Sequence, residues 1–214
     1  MKVLTVFDSL KVLEKAKIPV AKYFLVKKVE EAVKVSKKIG FPLVLKIVSP
    51  DIVHKTDVKA LVLDIRNEQE LTKSFNSLLE NIKKKMKKAR IQGVLVQKMM
   101  KGQEIIIGGK EDIQFGKVLM FGLGGIFTEL FDDVSFRVVP VNEKNAEDMI
   151  NETKGSKILK GYRGTKYDIA SLKSVLIKTS RLLEKNKKIK ELDINPVIVL
   201  NKGAFAVDAR IVVE

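Results

Sequence analysis

The rhythm of the apolar segments changes near Gly93, and that change limits what the chain can fold into. Before it, short apolar runs alternate with longer stretches whose apolar residues recur at helical spacing. Residues 9–16 read as a helix that Asp8 or Ser9 can cap, with Leu10, Leu13 and Ala16 on one face and Pro19 beyond its end. A strand over 21–26 leads to a helix over 29–39, closed by Gly40 in the position where helices turn left-handed. Strands over 42–47 and 60–65 flank a polar loop at 49–58, and a long helix fills 68–88. After Gly93 strands crowd together, at 94–99, 105–108, 117–121 and 135–139. Helices follow at 143–153 and 169–185, and strands at 190–199 and 204–213 are joined by the hairpin loop Asn201-Lys202-Gly203. The expected fold is α+β in two lobes, 1–92 and 93–214, with a ligand cleft between them; the first lobe reads as a small α/β unit.

Composition narrows the function. At 214 residues and 45% hydrophobic content the chain can bury a real core. No apolar run approaches the roughly 20 residues that cross a bilayer. Asp8 interrupts the N-terminal apolar stretch and no small-residue cleavage site follows, so no signal peptide and a cytoplasmic location are expected. The absence of Cys excludes disulfides and thiolate metal sites, and the single His excludes a poly-histidine metal site. Lys and Arg number 41 against 26 Asp and Glu, a net charge of +15 that suits anionic partners. The excess is mostly Lys, and aromatics are only 6%, which argues against base readout and base stacking. A basic nucleic-acid module is the alternative, and steeply salt-dependent retention would reveal it. The lysine run at 83–88 reads as a solvated face at a helix C-terminus.

Some signatures are missing. There is no GxxxxGKS or GxxxxGKT phosphate loop and no GxSxG elbow, and in Gly122-Leu123-Gly124-Gly125 the third glycine of a dinucleotide fingerprint would fall on Phe127. Four features carry chemistry. Lys46 interrupts an apolar strand, where its charge needs a partner such as a phosphate, or snorkels to water at the strand end. His54 follows in the polar loop. A neutral imidazole there is either a nucleophile oriented by Asp51 or Asp57, or a structural side chain. The glycines at 122–125, with Glu129 and Arg137 downstream, bring backbone amides to an anion or form a tight turn. Asp193 and Asn195, two apart on a strand, share a face, and the turn near 202 returns Asp208 beside them. Two carboxylates and an amide oxygen suit Mg²⁺, unless Asn195-Pro196 marks a turn with incidental acids.

Taken together, FPLVLKIVSPDIVHKTDV, GVLVQKMMKGQEIIIGGKEDIQFG, VLMFGLGGIFTELFDDVSFRVVP, ILKGYRG, ELDINPVIV and the closing VDARI resemble the ATP-grasp fold. More narrowly they resemble the beta subunit of archaeal-type ADP-forming acetyl-CoA synthetases, relatives of succinyl-CoA synthetases. The resemblance implies that Lys46 holds nucleotide phosphates, that Gln97, Lys98, Met99 and Met100 form a hinge meeting adenine, and that Glu104 binds ribose. It implies Mg²⁺ ligation by Asn195 and Asp208, with Asp193 where relatives often carry Glu. It makes His54 a phosphohistidine in a relay that starts on an alpha subunit and ends on ADP. It also implies that this partner binds CoA and that the two assemble as α2β2. Many relatives have two glycines after HKxDV. Here Lys59-Ala60 stand there, and Lys59 either adds charge near the phosphates or faces solvent. Gly124 and Gly125, with Glu129 and Arg137, are further phosphate-loop candidates. Acids other than acetate, or a non-catalytic nucleotide-sensing module, are the alternatives.

Overall fold

A computed structural model describes residues 1–52, 60–125 and 132–214, with the backbone alone at 163. The chain divides into two compact units, one of Ala21–Met100 and one of Met1–Val20 with Lys101–Glu214. The division therefore falls at 100/101 and not near Gly93. β5 (Gly93–Lys98) inserts between β2 (Tyr23–Val26) and β3 (Leu43–Val48), which commits it to the first sheet. Residues 1–20 leave the expected first lobe because β1 (Lys2–Val3) pairs with the last strand of the chain.

In the Ala21–Met100 unit, β4 (Leu61–Ile65) completes a sheet ordered β2-β5-β3-β4 whose ladders are all antiparallel. The unit expected to be a small α/β unit therefore has helices on an antiparallel sheet, in which β5 separates β2 from β3 and pairs with both. Helices α2 (Val29–Ile39) and α3 (Glu68–Lys85) bury one stripe each on this sheet. Asn67 caps α3 by accepting from the Glu70 N–H at 2.8 Å, and Gly40 closes α2 at φ 77°. Leu71, Phe75, Leu78 and Ile82 pack against Leu43, Leu45, Ile47 and Val96. Each such side chain contributes about 1.5–3 kcal/mol through its removal from water.

In the other unit, β6 (Gln103–Asp112), β7 (Gly116–Leu123), β8 (Val134–Val138), β9 (Ile189–Val199), β10 (Ala204–Ala206) and β11 (Arg210–Val213) join β1 in a seven-stranded sheet. Its path runs β1-β11-β9-β6-β7-β8, with β10 beside β9. Ile105, Ile107, Leu119, Phe121 and Ile194 are fully buried on one face, on the side of α4 (Glu143–Glu152) and α6 (Ile169–Lys185). Short α5 (Ser156–Leu159) links those helices. The first helix, α1 (Val6–Lys15), starts before the expected position. Thr5 is its cap, accepting from the Asp8 N–H, and Asp8 lies inside its first turn. No helix among the described residues is long and apolar enough to cross a membrane.

Candidate functional site

The Ala21–Met100 sheet carries Lys46 and Gln97 on the face away from its helices. Leu45 pairs with Val96, and both belong to the helix-side core. The adjacent pairs, Val44 with Gln97 and Lys46 with Leu95, therefore face the other way. Lys46 is only 5% exposed, so its ammonium sits in a setting where an anion is stabilising. Gln97 is 1% exposed, and its side-chain Nε2 has no hydrogen-bond partner, an uncompensated donor of the kind a ligand satisfies.

The hinge residues are placed differently from one another. Lys98 Nζ donates to the carbonyls of Gly40 (3.1 Å) and Phe41 (2.6 Å), so its charge closes the turn between α2 and β3. The main-chain N–H groups of Lys98 and Met99 donate to Lys22 O at 2.8 Å and Pro42 O at 3.0 Å. Met100 ends the unit, and Met99 and Met100 are both half-buried.

Asp51 is spoken for. Its carboxylate accepts from the Arg90 N–H (2.7 Å), Nε (3.2 Å) and an Nη (2.8 Å), and those bonds hold its pKa down to about 2. It anchors residue 90 to the end of β3. His54, Asp57 and Lys59 lie outside the described residues, as does Glu129 in the other unit.

In the larger unit, Glu104 is exposed on β6, and Gly124 N–H donates to Glu104 O at 2.8 Å. The two glycines have separate causes. A Cβ on Gly124 would lie 2.9 Å from Glu104 Cβ, whereas Gly125 has open space but φ +69°. Arg137 turns to α4. Its guanidinium forks onto the Glu152 carboxylate and also donates to Phe136 O. That pairing raises the Arg137 pKa and lowers that of Glu152.

Asp193, Asn195 and Asp208 do come together. Arg210 on β11 pairs with Asp193 on β9, and two residues on, Asn195 N–H donates to Asp208 O at 3.3 Å. The expected 204–213 strand is broken, so Asp208 lies between β10 and β11 and not within a ladder. The β6–β9 register also shifts, since Ile105 faces Val197 while Ile107 faces Ile194, and Asn195 and Pro196 form the bulge. Burial raises the Asp193 pKa, with Asp208 adding to the rise and Arg210 opposing it. Two carboxylates held close enough to disfavour each other's charge fit a divalent cation. No group of three or more His, Cys, Asp or Glu gathers among the described residues, and the hard donors this segment could offer a cation are the Asp193 and Asp208 carboxylates and the Asn195 amide oxygen. Arg210 was not among the expected site residues. It follows Asp208 by two positions within the closing VDARI stretch, which was the one signal pointing to it.

The ATP-grasp domain model matches residues 1–213. The chain is 44% identical over 213 residues to the beta subunit of acetate–CoA ligase (ADP-forming) II from Pyrococcus furiosus, covering 97% of this chain and 90% of that subunit. It is also 44% identical over 207 residues to acetate–CoA ligase (ADP-forming) I from Archaeoglobus fulgidus, covering 96% of this chain but spanning only 30% of that ligase. Among solved structures, acetyl-coenzyme A synthetase 1 from Ca. Korarchaeum cryptofilum, in complex with coenzyme A and Ca-AMPCP, matches at TM-score 0.95 and 46% identity, over 100% of this chain and 94% of that one. The same synthetase with coenzyme A and Mg-AMPPCP, its phosphohistidine segment pointing towards the nucleotide binding site, matches at TM-score 0.86 and 44% identity, over 100% and 93%.

Proposed function

Since this chain belongs to the ATP-grasp family, among the beta subunits of ADP-forming acetate–CoA ligases, we propose that it is the nucleotide-binding subunit for the reversible reaction acyl-CoA + ADP + phosphate ⇌ carboxylic acid + ATP + CoA. The observation that supports this best is the meeting of Asp193, Asn195 and Asp208 at the start of β11. Asp208 and Asn195, with Asp193 beside them, would hold Mg²⁺, which supplies charge neutralisation at the nucleotide phosphates. Lys46 adds a cation for those phosphates, Gln97 Nε2 offers a donor to the base, and Glu104 accepts from the ribose. With the Lys98 and Met99 amides committed inside their unit, base contact along the hinge falls to its carbonyls and to Met100.

His54 carries the phosphoryl group. Its imidazole nitrogen receives phosphate from the partner's phosphohistidine and passes it to ADP, the N–P bond breaking as the new P–O bond forms. Lys59, Gly124, Gly125 and Glu129 remain phosphate-side candidates. The partner is a CoA-binding alpha subunit that makes the acyl phosphate and chooses the acid, in a cytoplasmic α2β2 assembly. The test is calorimetric titration of Mg²⁺-ADP into the wild type and Asp208→Ala. Loss of Mg²⁺-dependent binding in the variant is expected, and unchanged binding would remove the metal assignment.

A further inference from the structure

Eight large hydrophobic side chains stand exposed among the described residues, and four of them, Ile113, Phe115, Phe136 and Val138, lie on the β6–β7 hairpin tip and on β8. The tip is built to hold its shape. Asp112 Oδ1 accepts from the Gln114 and Phe115 N–H groups at 2.8 and 3.0 Å, and Gly116 takes φ +76° to close the turn. Ile113 is fully exposed at 103% and Phe115 is 63% exposed. On the sheet, Phe136 pairs with Met120 and Val138 with Val118, the face opposite the buried Leu119 and Phe121. Gly108 beneath them leaves a groove of about 610 Å³, whose walls include Phe115, Met120 and Phe136 and which also reaches Asp193 and Arg210.

Resting on the reading of the chain as one part of a larger ligase, we propose that this hairpin tip and the outer face of β7 and β8 form the docking surface for the CoA-binding partner subunit. Apolar side chains gathered on one face, rather than scattered, mark a surface that is covered in the working assembly. The chain spans 30% of the Archaeoglobus ligase, so more than half of such an enzyme must be met by some surface of this part. The groove also runs to Asp193, so a partner seated there lies against the metal-binding end of the sheet. A second copy of this chain is the competing occupant, and the oligomeric state of the chain alone distinguishes the two.

The test is sedimentation velocity of this chain mixed with its CoA-binding companion subunit, for the wild type, Phe136→Asp, Phe115→Asp and the control Leu63→Asp, which is 57% exposed on the other unit. The wild type and Leu63→Asp should bind the companion equally, and each Phe variant should bind at least tenfold more weakly. Phe115 lies at the hairpin tip, outside every ladder, so its variant keeps the test valid if Phe136→Asp disturbs folding. Equal affinity in all four chains overturns the proposal, as does a self-associating wild type whose dimer the Phe variants abolish. Mg²⁺-ADP titration of the same chains separates this from the nucleotide reading. Intact nucleotide binding with no companion bound sinks the docking surface alone, whereas companion binding without nucleotide binding sinks the functional reading alone.

Discussion

Gly124 and Gly125 adjoin each other, yet substitution should affect them through different physics. An alanine methyl at Gly124 would sit 2.9 Å from Glu104 Cβ and 3.2 Å from both Glu104 C and O. These atoms are backbone or bonded directly to it, so no side-chain rotation relieves the contact. β7 must move away from β6, and the 2.8 Å bond from Gly124 N–H to Glu104 O lengthens with it. Overpacking of this kind costs about 1–3 kcal/mol. At roughly 2–4 °C per kcal/mol for a chain of this size, the melting midpoint of Gly124→Ala should fall by about 2–12 °C. At Gly125 nothing lies within 4 Å, so alanine costs only the left-handed backbone, about 1–2 kcal/mol, and Gly125→Asn still less. Differential scanning calorimetry of the three variants measures this order, and titration with Mg²⁺-ADP reports whether Glu104 has moved. A Gly124→Ala protein that melts with the wild type and binds ADP equally would refute the close approach of β6 and β7 as the reason for that glycine.

Two further predictions use the ion pairs of Asp51 with Arg90 and of Arg137 with Glu152. Asp51 has its pKa lowered to about 2 by Arg90, so its contribution to stability is present above its unfolded value near 3.8 and is lost as the pH falls through about 2. The urea midpoints of the wild type and Asp51→Asn should therefore differ at pH 5 and converge towards pH 2, and a constant difference would contradict the pairing. Arg137→Ala should lower stability by about 0–1 kcal/mol, as expected for an exposed ion pair, and leave Mg²⁺-ADP affinity unchanged. A tenfold loss of affinity would return Arg137 to the phosphates.

Much of the fold could be read from local pattern, and what escaped depended on distant partners. α2 and its Gly40 stop, the α6 span and the turn at Gly203 follow from spacing and from residues suited to positive φ. β6 runs four residues past its expected end, and in the sheet Gly109 makes room for α6. A Cβ there would meet Leu183 Cδ1 at 2.5 Å. The pairing of β1 with β11 joins residues more than 200 apart, and no local signal carries it. At the site, strand spacing correctly drew Asp193, Asn195 and Asp208 together, but it gave no sign of the bulge at Asn195 or of the break at Asp208. The ion-pair partners of Arg137 and Asp51 escaped the sequence for one reason. Each is held by a side chain brought near only by folding, Glu152 from 15 positions away and Arg90 from 39.

The proposed passage of phosphate through His54 to ADP leaves a chemical signature, an N–P bond stable in alkali and broken by acid. Its most direct test is incubation of the chain with γ-labelled ATP and Mg²⁺, with and without the companion subunit, beside His54→Ala. An acid-labile, alkali-stable label is expected on the wild type and none on the variant. Equal labelling of His54→Ala, or an unlabelled wild type when the companion is present and turning over, would contradict it.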